Sequence, residues 1–242
     1  ESRTRVIVFH HLDKPKRFED LISYLKKKYN IITFKNYLEG KIDKTKINLI
    51  IAFDDGYKSC FYNGKSIFCK HDIKPLFFLN SDFIGLDSKN AYRYCIKHIN
   101  TWKDDSLSWE EVKNLKELGC QIGGHTHKHS DLTDVKKNGK TFFNIICKDK
   151  LKIDKKLNQN TSIFAYPFGR WNDSALKEVK KSGYEYAFTS DSGYLEDSAN
   201  NHSLLRTNIG MRPSFIAKAY VEGCAETLTS DIAKIKSFLR VF

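Results

Sequence analysis

Two short stretches carry the residue types with which this chain could do metal-assisted chemistry. The first is Ile51-Ala52-Phe53-Asp54-Asp55-Gly56-Tyr57 and the second is Gly124-His125-Thr126-His127-Lys128-His129-Ser130. In the first, a β-branched and apolar run from Asn48 to Phe53 reads as a buried strand that ends in two acids and a glycine turn. Buried strands of α/β folds deliver functional groups at their carboxyl ends, which is where the acidic pair falls. In the second, His125 and His129 follow the short apolar run Gly119 to Ile122 and can converge on one ion. Two imidazoles and one carboxylate leave open positions for water and substrate, as hydrolytic metal centres require. The remaining acid, not needed as a ligand, is placed to act as a base.

Each stretch has a blander reading. An Asp-Asp-Gly triplet is more often a strand-to-turn junction whose carboxylates satisfy nearby backbone N–H groups. Three histidines in five residues also describe a solvated loop. The pair together, each after a predicted buried strand, is harder to dismiss. Which imidazoles would bind stays open: strand alternation puts all three on one face, whereas a turning backbone pairs His125 with His129 and points His127 away.

These residues resemble the polysaccharide deacetylase family, also called the NodB homology domain or carbohydrate esterase family 4. The family's Thr-Phe-Asp-Asp-Gly motif is present as Ala52-Phe53-Asp54-Asp55-Gly56, and its His-Ser/Thr-x-x-His motif as His125-Thr126-His127-Lys128-His129. Ala165-Tyr166-Pro167-Phe168-Gly169 is similar to the family's proline motif. Leu107 to Glu111 through Leu118 to Gly123 resembles the helix that leads into the histidine strand, and Val6 to Leu12 resembles the first strand. The likeness runs from about residue 4 to about residue 210, in the family's order.

The resemblance implies that Asp55, His125 and His129 ligate one divalent metal and that Asp54 is the general base. Zinc is the default for two nitrogens and one oxygen, and iron, cobalt, nickel or manganese would suit the same set. It also implies that the N–H of Phe168 faces the oxyanion, and leaves Thr126 to orient a neighbouring loop. The chain departs from the family in three places. Ala52 replaces a Thr, Phe164-Ala165-Tyr166 stands where many members carry an Arg, and no Leu-x-His segment appears late in the chain. The second departure resembles members acting on exported poly-N-acetylglucosamine. His202 is the sole histidine after His129, so it is the late candidate for protonating the leaving amine, but a lone His before an apolar strand is more often structural, and a water on the metal or Asp54 returning the proton it took is favoured instead. Arg206 either neutralises Asp54 or touches substrate, with an ordinary salt bridge as the plain alternative. Tyr166, Pro167 and Trp171 are candidate substrate contacts, as Trp102 is by its place near the loops, while Trp109 reads as core because it opens an amphipathic helix.

The elements that must position these groups alternate. Strands are expected at Val6 to Phe9, Ile31 to Phe34, Asn48 to Phe53, Pro75 to Leu79, Gln121 to Gly124, Ser162 to Tyr166, Tyr184 to Thr189 and Leu204 to Ile209. Helices are expected at Phe18 to Tyr29, Tyr57 to His71, Ser108 to Leu118 with a Ser108/Glu111 capping box, Phe142 to Leu157, Asp173 to Lys181, Ser214 to Val221 and Ser230 to Leu239. Residues 80 to 106 read as a long surface loop. Alternation argues for a parallel sheet or barrel, and the resemblance makes it a distorted (β/α) barrel of about seven parallel strands.

Composition agrees with an α/β enzyme without identifying one. At 242 residues, with four prolines and no repeat or low-complexity stretch, the chain reads as one domain over residues 1–242. Its formal charge of +12 reads as a lysine-rich surface or as attraction to an anionic envelope or membrane surface; no zinc-finger or aromatic–basic pattern suggests nucleic acid. The six cysteines are scattered, with Cys69 and Cys120 expected in the core and pairing undetermined. No run can span a bilayer, and the start at Glu1 without Met is compatible with removal of a leader; neither fixes the location, which stays open between the favoured cell envelope or exterior and the cytoplasm. The functional expectation is metal-dependent hydrolysis of N-acetyl groups from amino sugars of a glycan, releasing acetate. The alternatives are an amidohydrolase or O-acetyl esterase on a small molecule, or an inactive carbohydrate-binding barrel.

Overall fold

Strand β3, Asn48–Asp55, is buried at all eight positions, as a strand covered on both faces must be. The computed structural model describes residues 3–100, 104–134, 139–210, 212 and 214–223. On one side of β3 lies β1, Thr4–Phe9, in parallel register from Thr4 opposite Asn48 to Phe9 opposite Phe53. On the other side lie β2, Asn30–Ile31, and β4, Leu76–Leu79, which pairs Asp54 with Phe78 and Asp55 with Leu79. The sheet continues through β5, Gln121–Gly124, β6, Ile163–Ala165, and β7, Tyr186–Phe188, and β8, Thr207–Asn208, lies on the far side of β1. Leu204 bridges Phe188 of β7 in parallel, while Thr207 and Asn208 pair with Ile7 and Val8. The segment 204–208 therefore joins both ends of the sheet and closes a distorted barrel.

Alternation sorts the side chains into two layers. Val6, Val8, Ile50, Ala52, Leu76, Phe78, Ile163 and Ala165 form one cluster, which contains no residue of the long helices and fills the barrel. Their neighbours Ile7, Phe9, Ile51, Phe53, Phe77 and Leu79 pack outward against helix α1, Pro15–Lys28, through Phe18, Leu21, Ile22 and Leu25. Helices α7, Gly139–Leu157, and α8, Asp173–Lys181, cover β6 and β7 in a third cluster built on Ile146, Val179, Phe164 and Tyr184.

Four sequence expectations change. The strand expected to Phe34 stops at Ile31, because Thr33 and Asn36 form a capping box that starts α2, Phe34–Leu38. The helix expected from Tyr57 to His71 divides into α3, Lys58–Tyr62, and α4, Lys65–His71. Residues 80–100 are not simply loop: Asp87 caps α5, Ser88–Tyr94, which passes into a π-helical turn, Cys95–Ile99. Its buried face is Ala91, Tyr94, Cys95 and Ile99, too small and polar a set to show helical periodicity. Cys69 lies exposed in the last turn of α4, whereas Cys120 is buried as expected. The five described cysteines are free thiols. Trp102, Cys224 and the helix expected at Ser230 to Leu239 lie outside the described residues. No described helix is long and apolar enough to cross a membrane.

Helix α6, Trp109–Glu117, carries the expected capping box: Ser108 Oγ accepts from Glu111 N–H and the Glu111 carboxylate from Ser108 N–H. Ser108→Ala should lower unfolding stability by about 1 kcal/mol in urea denaturation. An unchanged midpoint would mean the cap contributes nothing.

Candidate active site

The acids end β3 and the histidines follow β5, so adjacent strands bring both motifs to the same end of the barrel. Alternation along β3 would send Asp54 into the barrel with Ile50 and Ala52, and Asp55 outward with Ile51 and Phe53. Asp55 escapes that rule because its φ is 74° and Gly56 follows at 95°. Both carboxylates consequently reach His125 Nε2, from Asp54 Oδ2 at 3.9 Å and from Asp55 Oδ1 at 3.8 Å. Thr126, His129 and Phe168 also have positive φ, at 59°, 49° and 59°. Such conformations cost free energy and cluster where function fixes the backbone.

Asp55, His125 and His129 bring one ligand atom each within 4.8 Å of one another, and all three are buried. His125 Nδ1 donates to the Ala165 carbonyl at 2.7 Å and His129 Nδ1 to the His98 carbonyl at 3.0 Å. Carbonyls only accept, so each ring's Nε2 is turned to the cluster. The His98 carbonyl is available because it belongs to the end of the π-helical turn, where the ladder has no further N–H to offer. His129 Nε2 stands 3.6 Å from Asp55 Oδ1. Asp55 Oδ1 accepts from Asn80 Nδ2 at 2.9 Å, and Oδ2 is buried with no hydrogen-bond partner among the described residues. Burial, outweighing the neighbouring acids, lowers the His125 pKa to about 4, so near neutrality the ring is a neutral base. Electron-rich atoms converging at 3.6–3.8 Å fit a cation between them, since ligands about 2 Å from one tetrahedral ion lie a little over 3 Å apart.

Asp54 is kept apart from that set by charge. Its burial acts to raise its pKa, but the Arg206 guanidinium, with His125 and His10, overrides burial and holds the carboxyl at about 2. Arg206 is itself buried; Nη1 donates to Asp54 Oδ1 at 2.7 Å and Nε to the Thr189 carbonyl at 2.5 Å. Its guanidinium is therefore committed to Asp54, not free for a substrate as one expectation had it. His10 Nε2 lies 4.0 Å from Asp54 Oδ2 and its side chain keeps 27% exposure. Sequence reading gave His10 no role; its place at the end of β1, beside β3, was the available signal.

The remaining candidates divide. Phe168 lies on the rim, 46% exposed, with its ring edge-on to His129 at 4.3 Å. Pro167 is buried beneath it. Trp171 is partly buried against Tyr166, its Nε1 donating to Asp191. Tyr166 is not a substrate contact: it is wholly buried, and its hydroxyl donates to the His202 carbonyl. His202 is not brought to the acids either. Its Nε2 bonds the Tyr184 carbonyl, ahead of β7, while the acids sit at strand carboxyl ends. His127 directs its carbonyl to Asp82 N–H and Tyr94 Oη, and its ring lines a cavity of about 420 Å³ against α7 with Asn144 and Lys148. Thr126 Oγ1 accepts from Ser130 N–H, tightening the histidine turn. Trp109 packs against the core.

Residues 41–187 match the family model described as Polysaccharide deacetylase. The chain is 27% identical over 205 residues to the poly-beta-1,6-N-acetyl-D-glucosamine N-deacetylase of Staphylococcus aureus (strain MSSA476), covering 78% of this chain and 65% of that one. Among solved structures it is similar to the Streptococcus pyogenes deacetylase PplD in complex with acetate, with TM-score 0.71 and 20% identity over 86% of this chain and 92% of that one. It is also similar to IcaB from Ammonifex degensii, with TM-score 0.68 and 19% identity over 93% and 97%. At these identities the structural likeness concerns the fold. The chain spans 56% to 65% of the length of the first curated relatives it matches.

Removing the guanidinium should let burial decide the Asp54 titration. The sign follows: a higher pKa leaves the base protonated over more of the acid range. Arg206→Gln should move the acid limb of the kcat/KM profile upward by about 1–3 pH units. A limb that stays in place would show that Arg206 does not set the charge of Asp54.

Proposed function

This chain belongs to the polysaccharide deacetylase family, and we propose that it hydrolyses the N-acetyl groups of amino sugars in a glycan, releasing acetate, with one divalent ion held by Asp55, His125 and His129. The observation that supports this reading is the different surroundings of the neighbouring acids: Asp55 shares a buried cluster with two Nε2 atoms turned toward it, while Asp54 is held ionised by Arg206. The ion, zinc by default, would supply Lewis acidity to the acetamide carbonyl and lower the pKa of water.

The chain's own groups do the rest. Asp54 takes a proton from the attacking water as its oxygen bonds the acetamide carbon. The N–H of Phe168, on a backbone turned left-handed beside His129, serves the developing oxyanion. The C–N bond breaks once the nitrogen gains a proton, delivered in this reading by His10, whose Nε2 lies 4.0 Å from Asp54 Oδ2, or returned by Asp54. Phe168 and Trp171 offer ring faces to a sugar at the rim. The named substrate of the Staphylococcus relative makes poly-β-1,6-N-acetylglucosamine the first polymer to test. The net charge of +12 suits an anionic envelope surface, where such a glycan would be met.

Acetate release from poly-β-1,6-N-acetylglucosamine, chitooligosaccharides, O-acetylated sugars and small amides tests the reading. Release from an N-acetylated glycan, stopped by chelator and restored by metal, is expected. Turnover confined to O-acetyl sugars or small amides would move the assignment to that substrate class, and glycan binding without turnover would make the barrel a binding module. On the active substrate, if His10 is the donor, His10→Gln should cost on the order of 10²–10⁴-fold and His202→Ala less than about tenfold, whereas losses below about tenfold in both would leave Asp54 to return the proton. The reverse order would make His202 the proton donor.

A further inference from the structure

The helix α7 looks, in sequence, like a solvated lysine-rich face, yet Asp149 within it is completely buried. Its two oxygens are used in different directions. Oδ1 accepts from Ser81 N–H at 3.0 Å, just beyond β4, and Oδ2 accepts from His125 N–H at 3.0 Å, just beyond β5. Each target leads to the cluster. His125 is itself one of the three residues there. Ser81 follows Asn80, whose Nδ2 donates to Asp55 Oδ1 at 2.9 Å and whose N–H reaches the Asp55 carbonyl at 3.3 Å. One carboxylate therefore spans the main chain of both segments, with Asp55 reached through Asn80.

We propose that Asp149 is a positioning residue that fixes the separation of Asp55 from His125 by clamping the chain after β4 to the chain after β5. The inference rests on the metal reading above, and concerns a group that meets neither substrate nor ion. A buried carboxylate is costly, and burial raises the Asp149 carboxyl to about 7 against the opposing pull of its hydrogen bonds; both donors are main-chain N–H groups at the ends of adjacent strands, so the geometry of the clamp is fixed by backbone. The approach depends on Gly124, since a Cβ there would stand 2.7 Å from Asp149 Oδ2 and 2.2 Å from Tyr184 Oη. His125 N–H is shared with the Leu79 carbonyl at 2.9 Å, so the carboxylate sits on the last rung of the β4–β5 ladder and sets where the histidine turn departs. An amide at this position would offer an acceptor to one N–H and a donor to the other, breaking the clamp with little change of volume.

Asp154, on the same helix, gives the control. It accepts from Thr161 N–H at 2.7 Å, Thr161 Oγ1 at 2.6 Å and Lys150 Nζ at 3.0 Å, ahead of β6 and at the other end of the sheet. Asp154→Asn therefore removes a comparable helix-to-loop tie with no path to the cluster. Apo protein would be titrated with Co²⁺ against a competing chelator, and the cobalt absorption spectrum recorded with the thermal midpoint. Asp149→Asn should weaken Co²⁺ binding by about 10–100-fold and alter the spectrum, the usual effect of losing a partner that orients ligands. Asp154→Asn should lower the midpoint and leave Co²⁺ binding and spectrum unchanged. Wild-type cobalt affinity in Asp149→Asn, with only the midpoint lowered, would overturn the clamp. His125→Ala separates the two failures: if it also binds cobalt normally, the metal reading itself is wrong. Should Asp149→Asn fail to fold, Asn80→Ala interrupts the arm to Asp55 while sparing Asp149, and unchanged cobalt affinity there would equally overturn the proposal.

Discussion

Asp54 and Asp55, neighbours at the end of one buried strand, must face one site and yet carry different loads. Two buried carboxylates this close repel, and each needs its own compensation. Asp54 has Arg206, a guanidinium buried with it and held in place by the Thr189 carbonyl. Asp55 has the Asn80 amide on one oxygen and no hydrogen-bond partner among the described residues on the other, with two Nε2 atoms turned toward it. That asymmetry is what the proposed division into base and ligand rests on. Exchanging the two acids would leave Arg206 competing with a cation for one carboxylate.

The geometry that allows this is a local break in strand alternation. A strand sends consecutive side chains to opposite faces, so a regular β3 could place only one acid in the barrel mouth. Positive φ at Asp55 turns the second one back, and three further non-glycine residues of the site, Thr126, His129 and Phe168, share that uncommon conformation. The strain is sustained by the closed sheet around it. Leu204, bridged to β7, and Thr207, paired with β1, tie the ends of the barrel together, and the same segment delivers Arg206 between them. Closure of the barrel and compensation of Asp54 are therefore one structural event.

What could be read from sequence follows from contact range. The two motifs are contiguous, so Asp54, Asp55, His125 and His129 stood out together, as did the local capping box at Ser108. The chain's alternation of elements was equally legible, because buried parallel strands read as apolar runs. Residues that act across the fold stood out less. Arg206, 152 positions from Asp54, was legible only as a choice between neutralising Asp54 and touching substrate, while Asn80, 25 positions from Asp55, and Asp149, camouflaged among lysines, gave no signal. His202 was singled out by chain order alone, whereas His10 earns attention only once β1 is seen beside β3. The turn that orients His129 was hidden because its buried face uses alanine, cysteine and tyrosine in place of larger aliphatics.

The central claim, that neighbouring acids divide the work of base and ligand, is tested most directly by measuring metal content and acetate release on the same preparation of Asp54→Asn. If Asp54 is the base, Asp54→Asn keeps full metal occupancy with turnover lowered on the order of 10²–10⁴-fold, against loss of metal in Asp55→Asn. Loss of metal in Asp54→Asn as complete as in Asp55→Asn would contradict it.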